Sequence, residues 1–121
     1  MVSRNCVDWA VMAYAGYAVG AALVPMYENQ DPNDWQHVVH DSGARVLLCS
    51  AFPHQRLQQM QQKGAFPSQL QLLSFGELRA RMPSQPPSPP QHDALCSSSD
   101  TCSIIYTSGT SGKPKGVELT H

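Results

Sequence analysis

The spacing of apolar positions changes repeatedly along the chain, and each change predicts an element. Val7 to Val19 is apolar on most sides, which predicts a helix capped by Asn5, helped by Asp8 near its positive end and stopped by Gly20. A helix apolar all round belongs inside a larger body. Ala22-Leu23-Val24-Pro25-Met26 reads as a short buried strand with Pro25 near its end. Asp31-Pro32 is a helix start, with Asp as cap and Pro at the first helical position, and the helix runs to about Asp41 before Gly43. Arg45 to Cys49 is a strand. Gln55 to Lys63 is a polar helix with Leu57 and Met60 inward, Leu70 to Phe75 a strand, and Glu77 to Met82 a short helix.

Helix, strand, helix, strand, helix, strand is the grammar of an α/β fold: parallel-sheet layers with flanking helices and right-handed crossovers. The pattern then breaks. Pro83 to Pro90 holds five of the ten prolines. Residues 83–99 therefore read as a Pro/Ser-rich surface connector, neither helix nor central strand. A ligand for proline-reading grooves has the same look, although a plain connector explains it as well.

Composition narrows the field. The 121 residues suffice for one modest domain, and a net charge of −1 with 14% charged side chains offers no basic field for nucleic acid. The four cysteines, at positions 6, 49, 96 and 102, show no C-x-x-C spacing and are expected as free thiols in a reducing compartment. Trp9 to Tyr27 is nineteen residues without a charge, close to membrane-spanning length. Alanine and glycine dominate it and Pro25 interrupts it, so a buried helix plus a strand is the better reading than an anchor or signal peptide. His37 and His40 lie one helical turn apart beside Asp41 but have no third ligand nearby, so no metal site is assigned. His54 and His92 read as loop residues. Trp9 and Trp35 read as packing residues, and no G-x-S-x-G signature is present.

The chemistry sits at the far end. Ile105-Tyr106 leads into Thr107-Ser108-Gly109-Thr110-Ser111-Gly112-Lys113-Pro114-Lys115-Gly116, and Val117-Glu118-Leu119-Thr120 leaves it as an alternating run. Glycines let backbone N–H groups form a concave nest. Thr107, Ser108, Thr110 and Ser111 add hydroxyl donors, and Lys113 and Lys115 add charge. The natural guest is a polyphosphate. The G-x-x-x-x-G-K-[ST] pattern fails here, because Pro114 follows Lys113 and disfavours a helix at that point. The loop is therefore expected to join two antiparallel strands in a hairpin, and to be mobile when empty because no helix braces it. Turns also favour Gly, Ser and Pro, but a plain turn has no use for this many hydroxyls and lysines together.

Residues 107–116 resemble the phosphate loop of the adenylate-forming (AMP-binding) superfamily, which includes acyl-CoA synthetases, luciferases and peptide-synthetase adenylation domains. Ser111 stands where the usual pattern has Thr, a change that keeps the hydroxyl. Val117 to His121 resembles the family's continuation. Ser3 to Trp9, Val24 to Tyr27 and Asp41 to Leu47 resemble the N-terminal region of long-chain acyl-CoA synthetases, in the same order.

The resemblance implies a partial adenylation domain over 1–121, from the N-terminal domain of such an enzyme. It implies ATP, Mg2+ and coenzyme A, with a fatty acid carboxylate attacking the α-phosphorus and the acyl-adenylate passing to a thioester. It assigns phosphate binding to Thr107, Ser108, Gly109, Thr110, Ser111, Gly112, Lys113, Lys115 and Gly116, and places His121 near the acyl or nucleotide pocket. The family's adenine motif, ribose aspartate, hinge and catalytic C-terminal lysine lie downstream of this loop, so no catalytic residue is assigned and the chain alone is expected to be inactive and marginally soluble. The expected location is the cytoplasm or the cytosolic face of an intracellular membrane, with peripheral membrane association open to the full-length protein. Two other readings stay open: a nucleotide-binding module without chemistry, and a membrane or proline-motif interaction module.

Overall fold

A computed structural model describes residues 1–83, 96–108 and 112–121. Its elements are α1 (Val7–Ala18), α2 (Pro32–Asp41), β1 (Val46–Cys49), α3 (Ala51–Gln62), β2 (Gln71–Ser74), α4 (Phe75–Arg81), β3 (Thr101–Thr107) and β4 (Lys115–Thr120). β1 and β2 pair in parallel with Val46 opposite Gln71, and α3 makes the crossover between them. β3 and β4 pair antiparallel, with Thr107 opposite Lys115 and Thr101 opposite Thr120.

Short extended pieces enlarge these two-stranded sheets. The first residues lie between β1 and the segment before α2. The Val2 amide donates to the Leu48 carbonyl at 2.8 Å, and that of Met26 to Met1 at 2.7 Å. Three residues earlier, Leu23 turns to the other sheet: its amide donates to Cys102 and its carbonyl accepts from Ile104, both at 2.8 Å. The predicted strand at 22–26 is thus two isolated bridges. Pro25 has no N–H to give a ladder, and the segment changes partners just before it: Leu23 bonds β3, while Val24 and Met26 bond Met1.

α2 lies over the main core. Asp31 caps it, its carboxylate accepting from the Asn33 amide at 2.8 Å, and Trp35, Val38 and Val39 point inward. They meet Leu47 and Cys49 of β1, Leu57 of α3, Val2, Met26, Phe66 and Leu70. The Trp35 indole N–H finds the Tyr27 carbonyl at 3.0 Å, so burying this ring leaves no donor unpaired. Trp9 packs with Met12 and Tyr17 around a second cluster of Met1, Ala13 and Phe75.

Several boundaries move. Cys6, whose side chain makes no capping hydrogen bond, replaces Asn5 as the α1 cap. α1 is not enclosed in this chain: Val7 and Tyr14 are each 75% exposed, while the opposite side covers the second cluster. α3 begins at Ala51, not Gln55, because Pro53 falls in its first turn, where amides have no helical partner to lose. His54 is accordingly a helix residue, with Nε2 3.6 Å from Glu77. Phe75 opens α4 instead of closing β2. Ser74 and Glu77 form a capping box, the Ser74 amide donating to the Glu77 carboxylate at 2.7 Å. That amide holds the Glu77 carboxyl below its usual range. The Pro/Ser connector falls mostly on 84–95, outside the described residues, as does His92. Among the described residues no helix is long and apolar enough to cross a membrane.

The Met1 amino group is buried, donates to the Val24 carbonyl at 2.6 Å, and has its pKa lowered from 8.0 to about 5 because burial penalises the charged form. Between those values the unfolded chain binds the extra proton, so stability rises with pH across the window and falls as pH drops toward 5. The linkage is on the order of 4 kcal/mol at full extent. Urea titrations of the free-amine chain should show a midpoint that climbs from pH 5.5 to 8 more steeply than in an Nα-acetylated chain. Equal slopes would show that the amine is not desolvated.

Candidate functional site

The candidate loop leaves the end of β3 and returns at the start of β4, so the ladder itself fixes both of its roots. Thr107 and Lys115 face each other as the last ladder pair, and Tyr106 faces Gly116. Ser108, Gly112, Lys113 and Pro114 complete the described part of the loop, the first three exposed and Pro114 half-buried. Gly109, Thr110 and Ser111 lie outside the described residues, and with them the expected mobility of the empty loop.

Two glycines have definite reasons to be there. Gly112 sits at φ +90°, which side-chain-bearing residues rarely adopt. At Gly116 the reason is space: a Cβ would lie 2.9 Å from Ile104 Cγ2 and 3.1 Å from Tyr106 Cζ. The Tyr106 ring therefore lies against the bare backbone of β4, just below the loop.

The same tyrosine reaches α2. Its hydroxyl donates to Asp41 Oδ2 at 2.6 Å. Burial, reinforced by that carboxylate, pushes the Tyr106 hydroxyl well above the usual tyrosine range, so it stays a donor. One turn earlier on α2, His37 Nε2 lies 2.9 Å from the Pro114 carbonyl oxygen. A carbonyl only accepts, so Nε2 carries the hydrogen. The His37 and Tyr106 rings meet edge to face at 6.3 Å between centroids. α2 thus holds the loop on the entry side through Tyr106 and on the exit side through Pro114.

Among the described residues, neither Lys113 nor Lys115 is paired with a carboxylate. Their charge and the hydroxyls of Thr107 and Ser108 are available to an anion. His121 stands apart. It follows β4 at the end away from Lys115, roughly 20 Å along the strand, with its ring on the edge of Tyr17 at 5.9 Å. A cleft of about 440 Å³, lined by Met12, Leu23, Val24, Val46 and Ile104 among others, has no described loop residue in its lining.

No group of three metal-binding side chains occurs among the described residues. Both histidines weighed for metal are committed to backbone carbonyls, His37 to Pro114 and His40 to Ala65 at 3.0 Å. All four cysteines are free. Burial pushes the Cys49 thiol up to about 12, so it is no nucleophile. The tie between α2 and the loop was missed in the sequence, although His37 and Asp41 are four residues apart and so share a helix face.

The α/β body with flanking helices matches the N-terminal domains of adenylate-forming enzymes among solved structures. Over 99% of the chain, the structure superposes on 23% of a Mycobacterium tuberculosis fatty acyl CoA synthetase, with a TM-score of 0.84 at 24% identity. It superposes on 30% of the N-terminal domain of FACL13 from the same organism, with a TM-score of 0.85 at 26% identity over 99% of the chain. The chain belongs to the AMP-binding enzyme family, whose model matches residues 1–121. Among relatives, the long-chain-fatty-acid–CoA ligase FadD15 of Mycobacterium bovis is 32% identical over 93% of this chain and 20% of its own length. A crotonobetaine/carnitine–CoA ligase of Shigella flexneri is 28% identical over 97% of this chain and 24% of its own length. The chain therefore spans about a fifth to a quarter of these relatives.

Substituting Gly116→Ala forces Ile104 or Tyr106 to move and should cost about 1–3 kcal/mol. Chemical denaturation should register the loss, and the Tyr106 ring resonances should shift. An unchanged midpoint would mean that the strand yields freely at this point.

Proposed function

We propose that this chain supplies the ATP-phosphate loop of an acid–CoA ligase, and that residues 1–121 form part of its adenylation domain. The observation that carries the reading is the sequence Thr107 to Gly116 placed between paired antiparallel strands, in a chain matched over its whole length by the AMP-binding family. In the reaction a carboxylate attacks the α-phosphorus of ATP, pyrophosphate leaves, and the sulfur of coenzyme A then displaces AMP from the acyl-adenylate to give the thioester. A fatty acid, of long chain in the FadD15 relative, is the proposed acid.

The chain's own part is electrostatic. Lys113 and Lys115 and the hydroxyls of Thr107, Ser108, Thr110 and Ser111 bind the β- and γ-phosphates and stabilise charge gathering on the departing pyrophosphate. Glycines at 109, 112 and 116 leave the backbone bare, so that its amides can join them. The loop provides hydroxyl and amide groups without a carboxylate cluster, which fits Mg2+ held mainly by phosphate oxygens. When bound with ATP, Mg2+ neutralises part of the phosphate charge. His121, far from the lysines along β4, is proposed to serve the acyl side and not the phosphate side.

Titration calorimetry of MgATP into the chain should show saturable binding that weakens as salt is raised. Lys115→Ala should weaken it about tenfold or more, the effect of removing one charged hydrogen-bond partner. Absence of saturation, or equal affinity in the variant, would overturn the phosphate assignment.

A further inference from the structure

We propose that α2 clamps both roots of the phosphate loop, and that His37, as its Nε2–H tautomer, is a positioning residue that sets where Lys113 and Lys115 stand. The inference rests on the phosphate-binding reading of the loop. Two side-chain bonds make the clamp: Tyr106 to Asp41 on the entry strand at 2.6 Å, and His37 to the Pro114 carbonyl on the exit at 2.9 Å. The acceptor is the residue between the two lysines, so fixing its carbonyl fixes the backbone from which both side chains spring.

The anchor itself is rigid. α2 is held in place by Trp35, Val38 and Val39, none more than 1% exposed. His37 and Asp41 occupy adjacent turns on the side of α2 that meets β3 and β4. The ladder alone closes only at Thr107–Lys115, and Pro114 gives it no N–H. Without His37 the exit segment has no described bond beyond the strand end until the loop. The clamp holds the lysines in place before any phosphate arrives, which lowers the ordering cost of binding.

Hydrogen exchange followed by mass spectrometry on the ligand-free chain tests the clamp directly. His37→Ala should speed exchange across residues 112–117 by about five- to tenfold. His37→Gln, which keeps an N–H donor, should restore much of the protection. His40→Ala removes the same kind of bond on the same helix, to Ala65, and should leave the loop roots unchanged. Nitrogen-15 shifts should show the Nε2–H tautomer at His37 in the wild type. MgATP affinity should fall about fivefold in His37→Ala and recover in His37→Gln. Unchanged exchange in His37→Ala, or an Nδ1–H tautomer, overturns the clamp. Faster exchange with unchanged MgATP affinity overturns the positioning role. A wild-type chain that does not bind MgATP sinks the phosphate reading and the positioning role together, and that result is in hand before any variant is made.

Discussion

Pro25 governs how this chain is put together. The stretch from Leu23 to Met26 is too short to serve two sheets as one strand, and a residue without an N–H in its middle makes continuous pairing impossible. The chain pairs with β3 at Leu23 and with residues 1–3 from Val24 onward, on both sides of the proline. This switch locks the antiparallel ribbon to the parallel sheet. Trp35, Leu47, Leu57 and their neighbours pack in the main core, and Met26 carries the junction into it.

Because the ribbon is tied to the body at Leu23, its far end projects where α2 can reach it. β3 runs from the junction toward α2 and β4 returns, and Tyr106 comes to rest against the helix. Gly116 is bare so that this ring can lie on the strand. The conditions depend on one another. A side chain at 116 would crowd Ile104 and Tyr106, and a displaced Tyr106 would release Asp41. The exposed lysines stand at the end of this chain of contacts, unneutralised by any described carboxylate.

The α/β class, α2 with its Asp31-Pro32 start, the β1 core and the paired strands that flank the loop were legible in the sequence because each is a local signal. Asp31 caps through its own side chain, and the loop's glycines, hydroxyls and lysines are contiguous. What was not legible depends on pairing at a distance. The segment at 22–26 has strand composition, and nothing local shows that it divides its bonds between two sheets. His54 looked like a loop residue because the proline before it marks loops as well as first helical turns. The Ser74–Glu77 box was readable as S-x-x-E but was masked by the apolar run before it. The α1 side bearing Val7, Val11 and Tyr14 reads as core by composition, and these residues are exposed in this chain. The partnership of His37 with Pro114 spans 77 positions and is invisible to any window.

One helix face holds Trp35, Val38 and Val39 in the interior while its neighbouring turns carry His37 and Asp41. Interior packing and ligand geometry therefore share a lever. A conservative trim at Val38 or Val39, remote from any phosphate, would tilt or loosen α2 and shift the lysines with it. In a genetic screen such alleles would score as binding-deficient although the protein still accumulates. Suppressors would then map to the floor of the molecule, not to the loop.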